Sequence, residues 1–206
     1  MDTHSQPQKS DRDNTCAQLV SSAIERLEEH GPTGLSTREI AKDVNVSTQM
    51  IYTCFGGKAG LVEAIYEEGF RRLSQSEQQF VDQENEPMGK LRDIGRGYRN
   101  FALENPKLYR VMFGDWLEGF RLPEAYLERN SEAYQLLLET VGQAVEAGIL
   151  GSESPDVIAD TLWATVHGTV GLELSGFFEN QEAAKKQYET AMSRIVKGFI
   201  TDRSGR

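Results

Sequence analysis

Two hydrophobic runs, each too short for more than two or three helical turns, stand back to back between Leu35 and Gly57, and their punctuation constrains the fold more than any other part of the chain. Ser36 and Glu39 form an S-x-x-E capping box, and Leu35 can staple to Ile40 across the helix start, so a helix opens there. It is short, because Asn45 follows nine residues after Ser36 and asparagine tolerates the left-handed conformation that ends a helix. Ser47 is placed to cap a second short helix, Thr48 to about Phe55, which Gly56-Gly57 terminates. A longer helix precedes both: from about Asp13 to His30 the residues Leu19, Val20, Ala23, Ile24 and Leu27 recur at helical spacing until Gly31-Pro32-Thr33-Gly34 breaks the run. On the third helix Ile51 and Phe55 share one side, while Gln49, Met50, Tyr52 and Thr53 point the other way.

The rest of the chain reads as helix as well. Leu61, Val62, Ile65, Phe70 and Leu73 keep helical spacing from Lys58 to about Phe80, and the polar run Asp82 to Glu86 before Pro87 marks a boundary. Leu91, Ile94, Tyr98 and Phe101 mark the next helix, and Asn105-Pro106 reads as a cap and first-turn proline opening a short one to Phe113. Gly114 to Leu122 reads as irregular, Pro123 opens a helix to about Ala147 closed by Gly148, Ser154-Pro155 opens another to about Phe178, and Asn180 separates it from the last. The expectation is an all-α fold of about nine helices. A disordered tail (1–12), an N-terminal three-helix helix-turn-helix domain (13–57) and a connecting helix (58–80) precede a larger helical-bundle domain for ligand binding and dimerisation (81–206).

Composition limits what such a chain can do. A net charge of -10 in 206 residues excludes indiscriminate binding to nucleic acid. Even residues 1–56 carry five Lys and Arg against eight Asp and Glu, but between Gly31 and Lys58 the cations Arg38, Lys42 and Lys58 outweigh Glu39 and Asp43. Any DNA site is therefore a local patch on an acidic body. The most apolar stretch, Thr161 to Leu172, is too short to span a bilayer, and Met1 to Asn14 has no apolar core of a secretory signal, so the expected location is the cytoplasm, with no membrane partner. Cys16 and Cys54 give no disulfide framework and fit a reducing compartment. His4, His30 and His167 are scattered without zinc-ligand spacing, and neither a Glu-x-x-His pair nor a nucleophile or phosphate-loop motif occurs, so no metal, no cofactor and no enzymatic activity are expected.

A short second helix, a tight turn and a polar face on the third helix make the geometry that lets a helix enter the major groove. Gln49 and Thr53 suit base edges, Met50 suits a thymine methyl, and the hydroxyls of Thr37, Thr48 and Tyr52 suit phosphate oxygens. Lys58, a cation at the positive end of a helix dipole, is compensated if a phosphate sits there.

The run Leu35-Ser36-Thr37-Arg38-Glu39-Ile40-Ala41 through Val46-Ser47, then Ile51-Tyr52-Thr53-Cys54-Phe55-Gly56-Gly57-Lys58-Ala59-Gly60-Leu61, resembles the DNA-binding signature of the TetR family over about Leu19 to Ile65. The resemblance implies that Thr37, Thr48, Tyr52 and Lys58 approach the DNA backbone while Gln49, with Met50 and Thr53, reads sequence; Arg38 and Ser47 complete the candidate set. Two departures stand out: Cys54 replaces an aromatic or histidine that touches phosphate, and Gly56-Gly57 replaces the usual proline and serine. Asn105 to Phe113 and Trp163-Ala164-Thr165-Val166-His167-Gly168 resemble one C-terminal subgroup with a W-x-x-x-H-G segment, which implies a helical regulatory domain whose last two helices pair across a homodimer.

Gly168, Gly171 and Gly176 on one apolar helix suggest close backbone packing at that interface. Phe113, Trp116, Phe120, Tyr134, Trp163 and His167 are the candidates to line a pocket for an unknown small-molecule effector. The function expected is a ligand-responsive repressor bound to an inverted-repeat operator in double-stranded DNA; the alternative is a helical interaction or small-molecule-binding module that binds no DNA.

Overall fold

In the computed structural model, which describes residues 6–81, 86–114, 131–151 and 153–200, the described residues are predominantly α-helical. In chain order the helices are α1 (Gln6–His30), α2 (Thr37–Asp43), α3 (Thr48–Phe55), α4 (Lys58–Val81), α5 (Pro87–Glu104), α6 (Pro106–Phe113), α7 (Glu132–Glu146), α8 (Pro155–Leu174) and α9 (Gln181–Phe199), with one 3-10 turn, Gly31–Gly34. Among the described residues there is no strand, only a bridge between Leu150 and Ile200. They form two compact units. The first holds α1, α2, α3, the N-terminal half of α4, and α6; the second holds the end of α4, α5, α7, α8 and α9.

Several local signals act as expected. Ser36 accepts the Glu39 amide at 3.5 Å and starts α2, and Asn45 takes a left-handed φ of 57° just after its end. Gly148, at φ 65°, ends the helical run of α7, and the Ile149 amide turns back onto the Ala144 carbonyl at 3.0 Å.

Other boundaries differ, each for a physical reason. α1 begins at Gln6, so most of the expected tail is helical. Its first two turns carry no apolar residue beyond Pro7, and periodicity of apolar residues cannot register such an extension, while a proline in the first turn is tolerated. α7 starts at Glu132, because Ser131 is extended and its hydroxyl accepts the Tyr134 amide at 3.2 Å; the expected start at Pro123 and the segment 115–122 lie outside the described residues. α8 stops at Leu174, since Gly176 is left-handed at φ 74° and acts as a terminator rather than as a packing residue inside the helix. Ser47, Asn105 and Ser154 precede their helices as expected, but none of their side chains caps.

The start of α6 is capped from elsewhere. The Glu28 carboxylate on α1 accepts the backbone N–H groups of Lys107 and Leu108 at 3.2 and 2.6 Å, and the Lys107 ammonium donates to the carbonyls of Glu28 and Glu29. A negative side chain at a helix N-terminus complements both the free donors and the dipole, so α6 is pinned to α1. Leu108 and Val111 are fully buried, and the Tyr66 hydroxyl of α4 donates to the Val111 carbonyl.

The two expected free cysteines are joined. Cys16 on α1 and Cys54 on α3 form a disulfide, with Cα atoms 5.7 Å apart, so the expectation of unpaired thiols fails. Thirty-eight residues separate them in sequence, and a folded back-side contact between α1 and α3 brings them within reach.

Candidate nucleic-acid interface

The first unit is built to hold one short helix with a fixed face outward. Leu19, Ala23 and Leu27 of α1, Ile40 of α2 and Ile51 of α3 are fully buried together with Leu61 and Ile65 of α4. Ile51 anchors α3 from its inner side, and the Cys16–Cys54 bond ties the same side to α1. What remains exposed on α3 is Thr48, Gln49, Tyr52 and Thr53, with Met50 half-buried at the edge. At about 100° per residue those four side chains occupy one continuous arc of roughly 140°. Tyr52 is 60% exposed, which is far more than a packing role for a tyrosine requires.

Behind this face α2 is positioned by a single arginine. Arg26 of α1 donates to the Gly34 carbonyl at 3.3 Å and to the Asp43 carboxylate at 2.8 Å, and it lies 3.8 Å from Glu39; the Ser22 hydroxyl also donates to Asp43. The Arg26 hydrogen bond holds the Asp43 carboxyl below its usual range, against the opposing effect of desolvation. Arg26 therefore offsets one of the two acidic charges of α2 from the α1 side. Arg38, Lys42 and Lys58 are left exposed, and the patch is more positive than residue counting shows. The residue that does this, Arg26, carries no sequence signal beyond its position on the polar edge of α1.

Between α3 and α4 the chain makes a turn that only glycine accommodates well. Gly56 has φ 73° and Gly57 φ 137°, so the pair that replaces proline and serine adopts a backbone that those residues disfavour. The side of Gly57 where a Cβ would project lies 3.5 Å from the Tyr52 ring, so Tyr52 rests against the turn that delivers Lys58. Thr48, Gln49, Tyr52, Thr53 and Lys58 are thus exposed around one helix and its following turn. Ser47 and Arg38 are exposed and Thr37 is half-buried at the start of α2. The Thr53 hydroxyl donates to the Gln49 carbonyl at 3.0 Å, and the Ser47 hydroxyl leaves the α3 amides uncapped.

The second unit contains a partly open cavity of about 550 Å³. Leu91, Ile94 and Tyr98 of α5, Leu137 of α7, and Trp163 and Val166 of α8 form much of its wall. Of the six residues expected to line a pocket for an effector, Trp163 borders this cavity. Tyr134 and His167 stand one layer behind: the Tyr134 ring meets Trp163 edge-on at 5.7 Å and its hydroxyl donates to Asp160, while His167 Nδ1 shares a 2.9 Å hydrogen bond with the Tyr98 hydroxyl. Phe113 belongs to the first unit, packed on Phe70 and Tyr109, and Trp116 and Phe120 lie outside the described residues. Sequence reasoning missed Glu77, which reaches the cavity from α4 although it is fully buried. Among the described residues no cluster of three or more His, Cys, Asp or Glu could hold a metal, and no helix is long and apolar enough to cross a membrane.

Comparison with known proteins bears on both units. Residues 19–65 match the bacterial regulatory proteins of the tetR family, and residues 91–195 match the tetracyclin repressor-like C-terminal domain. The nucleoid occlusion factor SlmA of Alteromonas mediterranea is 27% identical over 192 residues, covering 84% of this chain and 95% of that protein. Among solved structures, a protein with unknown function from Rhodococcus sp. RHA1 superposes with a TM-score of 0.79 at 24% identity, covering 91% of this chain and 96% of that one. A putative tetR family transcription regulator from Shewanella sp. PV-4 does so with a TM-score of 0.70 at 14% identity, covering 91% and 99%. With the N-terminal match falling on the helix-turn-helix and the C-terminal match spanning the cavity-bearing helices, the chain belongs to the TetR family of transcriptional regulators.

Proposed function

We propose that this regulator is a homodimeric repressor that binds an inverted-repeat operator through α3 and is released from it by a small molecule in the second unit. The observation that carries this reading is the exposed arc of Thr48, Gln49, Tyr52 and Thr53 flanked by Lys58. In this reading Gln49, with Thr53 and Met50, contacts base edges, and Gln49 pairs naturally with adenine. Thr37, Arg38, Ser47, Thr48, Tyr52 and Lys58 hold the phosphates, helped by the uncapped amides at the start of α3 and by the dipole at the start of α4.

Dimerisation is supported by α8. Val157 and Leu172 are exposed apolar residues, and together with Ala164 and Gly168 they make an exposed stripe at helical spacing. Nothing lies within 4 Å of the Cβ positions of Gly168 and Gly171, leaving room for a second backbone. Two-fold symmetry then presents two copies of α3 to successive major grooves.

The route for ligand control is one helix. α4 begins at Lys58 in the first unit and contributes Glu77 to the cavity wall of the second. A ligand that favours a different placement of α4 shifts the population of half-site spacings, and ligand and operator must then weaken each other equally.

The test is a gel-shift comparison across a randomised half-site. Gln49→Ala is expected to relax preference at one base pair by about 1–3 kcal/mol while leaving the salt dependence of binding unchanged. A loss spread evenly over all sequences would remove Gln49 from base reading.

A further inference from the structure

The cavity of the second unit is lined mostly by apolar side chains, with Glu77, Arg92, Arg96 and Glu189 as the charged groups on its wall. Glu77 projects from α4 into its wall with none of its side chain exposed, and among the described residues its two carboxyl oxygens are the only buried side-chain polar atoms without a hydrogen-bond partner. The placement is enforced by packing. A Cβ on Gly97 of α5 would lie 2.5 Å from the Glu77 Cα, and the Ser76 hydroxyl donates to the Gly97 carbonyl at 2.9 Å, so α4 and α5 touch backbone to backbone at this point. A buried, unpartnered carboxyl costs stability, and its position in a ligand-sized space points to a partner that the free chain does not contain.

The other charged groups facing the cavity do not fill that role. Arg92 and Arg96 of α5 have side chains more than half exposed and are paired with Asp93, at 3.8 and 3.1 Å. α9 contributes Tyr188, whose hydroxyl is pushed up by burial, and the exposed Glu189; α7 and α8 add no titratable group to the lining.

We propose that the effector is a molecule with an apolar, aromatic-sized body and a protonated amine, the amine seated on Glu77. An ammonium donates to both orphaned oxygens at once and brings a charge opposite to that of the ionised carboxyl, whereas an ionised carboxylate ligand has no donor to offer them. This rests on the reading of the cavity as the effector site and adds the ligand's chemistry to it.

Burial raises the Glu77 carboxyl well above its ordinary value, which favours its neutral form. Seating an ammonium ionises the carboxyl, and its proton leaves to the buffer while the amine keeps its own. Ammonium binding and protonation of Glu77 therefore oppose each other, so binding releases protons and strengthens as pH rises toward the raised Glu77 value. In the empty protein the sign is the reverse. The neutral Glu77 contributes stability that is full below the ordinary carboxylate range and is lost as pH rises through its raised value, and Glu77→Gln is expected to remove that loss.

The test is calorimetry on the full-length chain without DNA, using phenylbutylamine, phenylbutanol and phenylbutyrate as probes in two buffers of different ionisation enthalpy. The expected result is that the amine binds about tenfold or more tighter than the alcohol and the acid, releases protons to the buffer, and loses both advantages in Glu77→Gln. Equal or tighter binding of the alcohol or acid, or amine binding without proton release in the parent chain, overturns the proposal, and neither outcome depends on how Glu77→Gln folds. A failure of the regulator reading would show instead as absence of duplex binding by the ligand-free chain.

Discussion

A Tyr52→Ala, Lys58→Ala double variant is expected to bind every duplex about a hundredfold more weakly than the parent chain, with its base preferences intact. Both side chains are exposed, so their removal leaves the core of the first unit untouched. Each loses a hydrogen bond to a charged oxygen, about 1.5 kcal/mol apiece, and two such losses make about two powers of ten. The lysine also releases a counterion, so the slope of log affinity against log salt should fall by about one per lost ionic contact. Fluorescence anisotropy on several duplexes over a salt series checks both. A loss confined to one sequence would mean that these residues read bases instead of holding the backbone.

Reduction of the Cys16–Cys54 bond is expected to lower the stability of the first unit by about 4 kcal/mol. The bond closes a loop of 38 residues, and the entropy that such a cross-link removes from the unfolded chain sets that magnitude. The loop contains α2 and most of α3, so the element carrying the outward face is the one loosened. Urea unfolding followed with and without a thiol reductant measures the difference, and Cys16→Ser should reproduce the reduced value while being insensitive to reductant. An unchanged midpoint for the parent chain on reduction would show that the bond contributes nothing to stability.

The helix-turn-helix was legible because short-range chemistry decides it. Ser36, Asn45 and Gly56 each control the backbone within three or four residues, and Ile51 sits on the inner face that its spacing requires. The parts that were not legible depend on residues distant in sequence. Arg26 becomes the brace of α2 only when the fold brings Asp43 to it, and Glu28 becomes the cap of α6 across 79 residues. Cys16 and Cys54 meet only once α3 packs on α1. Glu77 did leave a trace: four residues after the buried Leu73, it lies on the apolar stripe of α4, where a carboxylate has no reason to be. The lining of the cavity differs from the expected set for a similar reason. Aromatic residues such as Tyr134 and His167 were natural lining, yet both are taken up by partners behind the wall, and only tertiary packing distinguishes the two layers.

The proposed function requires α3 to read duplex DNA as one of a symmetric pair. The most direct measurement is selection of bound fragments from a pool of random duplexes by the ligand-free chain at low ionic strength. It should yield an inverted repeat whose half-sites lie about one helical turn, or a multiple of it, apart. Retention of no duplex, or of fragments without a shared two-fold sequence, would contradict it.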